Sequence, residues 1–207
     1  LGSSGVSLLE MVSAYSVFAN QGYLVEPVLI KKILDRDGNM IEEANPTREA
    51  VIDKGTAYIM THLLEGVVKH GTGWRARALK RPVAGKTGTT NNLNDAWFIG
   101  FTPRYVTGTW VGFDEEASLG KGETGSRSAS PIWLGYMKRV LEDKPIAIFS
   151  VPEGVVFKKI DAETGLLPIP ESKKTVFECF KEGTVPTKYT KRPESITGPE
   201  EFFKLGM

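Results

Sequence analysis

Cysteine is almost absent from this chain: Cys179 stands alone among 207 residues. A single thiol excludes an internal disulfide and any cysteine-based zinc cluster. Its setting, Val176-Phe177-Glu178-Cys179-Phe180, reads as a small buried core residue rather than a nucleophile, and it leaves the redox compartment open. Histidine is nearly as scarce. His62 and His70 lie eight residues apart without ligand spacing and read as ordinary helix residues, so no metal and no cofactor are expected. No apolar run reaches the roughly 20 residues a membrane-spanning helix needs, so no transmembrane segment is expected, and there is no basic-then-apolar leader. Charge of one sign is also missing: 26 Lys+Arg against 25 Asp+Glu leave a net +1. That balance gives no electrostatic case for nucleic acid, which requires concentrated positive charge. The local cluster Lys69, Arg75, Arg77, Lys80 and Arg81 reads as a solvated face beside a cleft.

What remains is the composition of a soluble globular protein, 41% apolar and 25% charged, with enough length for one good core or two small ones. Leu1-Gly2-Ser3-Ser4-Gly5 leads straight into a helix, an abrupt start that suggests a piece of something larger. Ser7-Leu8-Leu9-Glu10 is a capping box, and Leu8, Val12, Tyr15 and Ala19 recur at helical spacing until Asn20-Gln21-Gly22 stops them. Tyr23 to Leu34 reads as a strand, Asp35 to Asn39 as a turn and Met40 to Glu42 as its return, a hairpin. A second helix is predicted from Asp53, with Ile59, Met60, Leu63, Leu64, Val67 and Val68 as its buried face, ending at Gly71 before an irregular basic loop. Three strands follow, about Pro82 to Thr90, Asp95 to Thr102 and Tyr105 to Phe113. Their short connections make them antiparallel neighbours. After a Gly-rich loop from Asp114 to Arg127, Ser130 is expected as N-cap and Pro131 as the first residue of a third helix. Ile132, Trp133, Tyr136, Met137 and Val140 would cover one sheet face. Beyond Pro145 the composition shifts. Val151 to Ile160 and Thr175 to Phe180 suggest a small β appendage, and the tail from Thr187 is expected to be poorly ordered.

The chemistry concentrates in Gly85-Lys86-Thr87-Gly88-Thr89-Thr90. In a strand Thr87 and Thr89 share one face and Lys86 and Gly88 the other. Two hydroxyls on one face suit the two oxygens of a carboxylate. Gly88 lets a ligand backbone approach closely, and a strand edge accepts an extended peptide. A backbone N–H here suits an oxyanion hole, while Lys86 adds positive potential that favours the deprotonated form of a neighbouring hydroxyl or amine. By itself the Lys-Thr-Gly tripeptide reads first as a strand end running into a polar turn. A P-loop is excluded: the glycine required five positions before Gly85 is Lys80, and the segment opens a turn rather than a helix. Asp95 reads as a local cap or the partner of a basic residue, Trp97 and Trp110 as core or cleft wall, and Trp74 as a rim contact.

Lys86-Thr87-Gly88-Thr89-Thr90 with Asp95-Ala96-Trp97-Phe98-Ile99-Gly100-Phe101-Thr102-Pro103 closely resembles the third active-site motif and next strand of penicillin-binding proteins. Gly5-Val6-Ser7 through Ala14-Tyr15 to Phe18-Ala19-Asn20, Gly71-Thr72-Gly73 and Trp110-Val111-Gly112 are similar to the bifunctional class A members. The resemblance covers residues 1 to about 142; Gly183-Thr184-Val185-Pro186-Thr187 adds a weaker likeness near the C-terminus.

The resemblance implies an α+β fold, part of a penicillin-binding/serine β-lactamase-like transpeptidase. The parts would be an antiparallel sheet of about three contiguous strands plus a hairpin, covered by helices, with a small C-terminal β appendage. Residues 1–145 would be the C-terminal portion of the transpeptidase domain and 146–207 a small, partly disordered extension. It implies a serine acyl transferase acting on D-alanyl-D-alanine stem peptides of peptidoglycan, with β-lactam antibiotics as pseudo-substrates. The setting would be periplasmic, in a parent protein anchored in the bacterial inner membrane. By motif match Thr87 and Thr89 would bind the terminal carboxylate, with Gly88 and Thr90 completing the binding edge. The Thr89 backbone N–H would be the second oxyanion donor, and Lys86 would hold the electrostatics of the middle motif. The family's Ser-x-x-Lys nucleophile precedes all of this; the serines here lack the lysine or lie downstream of Lys86. The chain is therefore expected to be inactive alone, and to self-associate through a sheet edge that the missing part would cover. The competing class is a non-catalytic peptidoglycan-binding or partner-docking module on the same scaffold.

Overall fold

The computed structural model describes residues 5–191. The chain divides into two compact units, Leu1–Glu153 and Gly154–Met207.

In the first unit, α1 (Leu8–Ala19) starts on the expected capping box: the Ser7 N–H donates to Glu10 Oε2 at 2.7 Å, and the Glu10 N–H donates to Ser7 Oγ at 3.2 Å. It stops where Gln21 and Gly22 turn left-handed, with φ of 54° and 94°. A Cβ on Gly22 would overlap the carbonyl of Ile52, so only glycine fits there.

The single strand expected over Tyr23 to Leu34 is two. β1 (Tyr23–Val25) ends before Pro27, which has no N–H for a ladder, and β2 (Lys32–Leu34) resumes later. β2 pairs with β3 (Met40–Glu43), the predicted return, while β1 pairs with β4 (Arg48–Ala50), a strand that its polar sequence concealed. The hairpin turn is tied by Asp35, whose Oδ1 accepts the N–H groups of Asp37 and Asn39 at 2.9 and 2.8 Å.

α2 (Lys54–His70) is capped by Asp53, which accepts the Thr56 N–H at 2.9 Å. Its buried line is Ala57, Thr61, Leu64 and Val68, a rotation from the expected face that leaves Leu63 53% exposed. Thr61 is tolerated inside because its hydroxyl donates back to the Ala57 carbonyl at 2.9 Å. The basic segment after Gly73, expected to be irregular, is a 3-10 helix over Trp74–Leu79 that buries Ala76 and Leu79.

β5 (Ala84–Thr89), β6 (Ala96–Phe101) and β7 (Val106–Val111) form an antiparallel sheet in the order β5-β6-β7. A π-helical turn over Gly125–Ala129 then runs into α3 (Ser130–Val140). Ser130 is not the cap that the Ser-Pro pair suggested. Its N–H bonds back to the Gly125 carbonyl and continues the preceding turn, which carries the side chain into the core with its hydroxyl unpaired. The buried stripe of α3 is Ser130, Trp133 and Met137, while the expected Ile132 and Tyr136 point outward, 56% and 55% exposed.

The sheet is sandwiched. On one face Trp133 meets Phe98 edge-on at 5.1 Å, and its indole N–H donates to the carbonyls of Gly100 and Thr107 at 3.3 and 3.0 Å. A Cβ on Gly100 would lie 2.8 Å from the Trp133 ring, so this glycine sets how closely α3 seats. On the other face α1 packs against β7, with Leu8 and Val12 over Gly108. Tyr15 and Phe18 pack there on a cluster of Leu64, Ala84 and Phe101. The architecture is α+β, three contiguous antiparallel strands and a hairpin with helical cover, as the sequence predicts.

The second unit is the antiparallel pair β8 (Val155–Asp161) and β9 (Thr175–Lys181), with Cys179 buried. Asp161 organises the turn. It accepts from the Ser172 hydroxyl at 2.5 Å and from the N–H groups of Glu163 and Thr164, and these bonds, Ser172 first, hold its carboxyl below the ordinary aspartate range. Of the tail beginning at Thr187, Lys188 and Thr190 bond to Leu167, while residues 192–207 lie outside the described residues.

Candidate functional site

Among the described residues β5 pairs only with β6, so its other edge is the outer edge of the sheet there. The Thr90 N–H donates to the Asp95 carbonyl at 3.1 Å, which fixes the phase of the ladder. Residues in an antiparallel pair alternately turn both backbone groups toward the partner and both away. Thr90, Gly88 and Lys86 therefore face β6, and the N–H and C=O groups of Thr87 and Thr89 face outward. The Thr87 carbonyl accepts from Lys86 Nζ at 2.8 Å, which draws the ammonium along that edge. The register sets Thr87 and Thr89 beside Phe98 and Ala96, and Lys86 beside Ile99.

A cleft of about 890 Å³ runs along this edge and takes in Lys86, Thr87, Gly88, Thr89 and Thr90 together. Val6, Met11 and Tyr15 wall one part of it, and Asn94, Asp95 and Glu116 another. A cavity of about 90 Å³ beside Phe18 and Tyr58 is far smaller and shares none of these residues.

The hydroxyls are not equivalent. Thr90 Oγ1 is consumed by the turn: it accepts the Asp95 N–H at 2.8 Å and donates to Asp95 Oδ2 at 3.2 Å. The other Asp95 oxygen accepts from Trp110 Nε1 at 2.8 Å, so Asp95 caps the turn and is bonded to a neutral indole. Thr89 Oγ1 accepts the Gly125 N–H at 3.1 Å, which leaves its own proton free to donate. Thr87 Oγ1 lies 2.6 Å from Thr72 Oγ1. The segments carrying these contacts are themselves joined: Ser126 Oγ donates to the Thr72 carbonyl at 2.8 Å, and Arg75 Nε to the Ser126 carbonyl at 2.9 Å. A Cβ on Gly125 would overlap the carbonyl oxygens of Gly88 and Trp97, so a glycine is needed for this close approach.

Thr72, Gly125 and Ser126 were not foreseen as part of the site. The signals for them are a hydroxyl residue beside glycine in two segments, Gly71-Thr72-Gly73 and Gly125-Ser126, and the place of the first among the segments that carry the resemblance. Trp97 lines the cleft and lies 6.3 Å from Trp110 on the neighbouring strand, whereas Trp74 is half exposed under Arg75 and does not line it. Ser118-Leu119-Gly120-Lys121 has the letters of Ser-x-x-Lys, but it lies in a loop rather than on the helical turn that would bring residues i and i+3 together. Among the described residues no cluster of His, Cys, Asp or Glu is arranged to hold a metal, and no helix is long and apolar enough to cross a membrane.

Residues 1–132 match the family described as the penicillin binding protein transpeptidase domain, and residues 151–195 match the penicillin-binding protein 1A C-terminal domain. Penicillin-binding protein 1A of Pseudomonas aeruginosa is 38% identical over 96% of the chain and 30% of its own length. That of Aquifex aeolicus is 44% identical over 90% of the chain and 26% of its own length. The chain thus spans less than a third of these relatives. The crystal structure of penicillin-binding protein 1A from Haemophilus influenzae superposes with a TM-score of 0.84 at 35% identity, covering 92% of this chain and 34% of that one. With a family match over well more than half its length, the chain belongs to the penicillin-binding protein transpeptidase family.

Proposed function

We propose that this chain is the C-terminal part of a peptidoglycan D,D-transpeptidase and supplies the Lys-Thr-Gly wall of its active site. The observation that carries the reading is the outer edge of β5. There the hydroxyls of Thr87 and Thr89 and the outward N–H of Thr89 line one cleft with Lys86, in a segment matched by the family. In the reaction a serine oxygen attacks the penultimate D-alanine carbonyl. The tetrahedral oxyanion gathers on two donors, the Thr89 N–H being the second, and D-alanine leaves with the serine proton. A neighbouring stem-peptide amine then displaces the serine and completes the cross-link. Thr87 and Thr89 would hold the terminal carboxylate, and Lys86 would hold the middle motif in charge balance. A β-lactam enters the same step by opening its ring on the serine. The nucleophile, the glycosyltransferase activity and an inner-membrane anchor would belong to the remainder of a periplasmic parent protein, with residues 146–207 as an extension.

Fluorescent penicillin should label the full-length protein at one equivalent and leave the 207-residue chain unlabelled. Stoichiometric labelling of the chain alone would sink the assignment of the nucleophile elsewhere, and an unlabelled full-length protein would favour a non-catalytic binding module. The open edge of β5 also supports self-association of the isolated chain. Sedimentation should show a dimer growing with concentration, and a monomer throughout would rule this out.

A further inference from the structure

We propose that Thr72 is a positioning residue of the carboxylate subsite, acting by fixing the direction in which the Thr87 hydroxyl donates. The inference rests on the transpeptidase reading above and deepens it. The two hydroxyl oxygens are 2.6 Å apart, close enough for one strong hydrogen bond, and each hydroxyl has a single proton. If Thr87 donates to Thr72, it has only lone pairs to offer an incoming carboxylate, and two acceptors repel. If Thr72 donates to Thr87, the Thr87 proton is free for the carboxylate, and the chain from Thr72 through Thr87 to the anion is polarised in one direction. Only the second arrangement serves the proposed subsite.

Thr72 is held for this task through its backbone. Its carbonyl accepts the Ser126 hydroxyl at 2.8 Å, and the Ser126 carbonyl is in turn held by Arg75. The adjoining residue, Gly125, donates to Thr89. One turn after the cleft thus reaches both carboxylate hydroxyls, directly at Thr89 and through Thr72 at Thr87. Thr72 is exposed, and its side chain has no other hydrogen bond among the described contacts, so no packing role competes with this one.

The test uses the full-length protein with Thr72→Val, Thr72→Ser and Thr87→Ala, and reads the second-order acylation rate with benzylpenicillin and with its methyl ester, which lacks the carboxylate charge. Thr72→Val keeps the shape and removes the donor. It should slow benzylpenicillin about fivefold, the size of one hydrogen bond between neutral groups, while changing the ester by less than about twofold. Thr72→Ser, which restores the hydroxyl, should stay within about twofold of the parent for both. If Thr87→Ala is slow and Thr72→Val is not, the inference fails and the transpeptidase reading stands. Equal slowing of both compounds by Thr72→Val would make Thr72 merely structural and overturn the inference. Thr87→Ala should slow benzylpenicillin about tenfold, one hydrogen bond to a charged group; no slowing there, or no acylation of the unmutated protein, would bring down the reading and the inference together.

Discussion

Replacing Thr89 by proline in the full-length protein should slow acylation by penicillin by about 10²–10³, the usual consequence of losing one oxyanion donor. Proline removes the N–H, and at this position the fold can accept it. β5 is an edge strand, and the ladder phase set by the Thr90–Asp95 bond turns the Thr89 N–H away from β6, so no interstrand bond is lost. The residue before it, Gly88, already lies in extended strand, the conformation that a following proline demands. Thr89→Ala is the control, because it removes the hydroxyl and its bond from Gly125 while keeping the N–H. Its loss should be about tenfold, one hydrogen bond to a charged group. The gap between the two variants measures the backbone donor. Were Thr89→Pro no slower than Thr89→Ala, with the melting temperature of the parent, the Thr89 N–H would not be an oxyanion donor.

The largest loss of stability should come from Trp133→Ala. The indole is fully buried, stacks edge-on against Phe98 and donates to two carbonyls on different strands, those of Gly100 and Thr107. Removing it leaves a cavity between α3 and the sheet, and such truncations cost about 3–5 kcal/mol. Against a domain stability of about 5–15 kcal/mol, that is a large fraction. Urea unfolding of the 207-residue chain, followed by tryptophan fluorescence from the remaining indoles, measures it directly. Trp133→Phe should be milder, about 1–3 kcal/mol, because the ring remains while the two carbonyls lose their donor. A Trp133→Ala midpoint equal to the parent would show that α3 does not hold the sheet through this residue.

Local chemistry was legible where it is short in range. Ser7 and Glu10 close a cap within one turn, Asp35 closes a turn by bonding its own neighbours, and the three strands from β5 to β7 follow from alternation and short links. Errors arose where packing overrides local pattern. The apolar stripes of α2 and α3 contain more candidates than the core accepts, and the sheet chose Thr61 over Leu63 and Ser130 over Ile132. The 3-10 helix after Gly73 carries Arg75 and Arg77 on a surface that conceals the buried Ala76 and Leu79. Ser130-Pro131 matches a cap in composition, but the preceding π-helical turn already occupies the position a cap would need.

By itself the sequence determined which residues the proposed site draws on: lysine, two threonines and a glycine in one strand, inside a longer pattern shared with a family. Strand alternation and the P-loop spacing rule needed only residues within a few positions of one another. Tertiary structure alone decided which groups of that strand are free. It turned the Thr89 N–H outward, spent the Thr90 hydroxyl on Asp95, and brought Gly125 to Thr89 and Thr72 to Thr87 across separations of 36 and 15 residues. Periodicity reports the neighbours along a chain, whereas the direction in which a hydroxyl donates depends on the neighbours that folding brings to it.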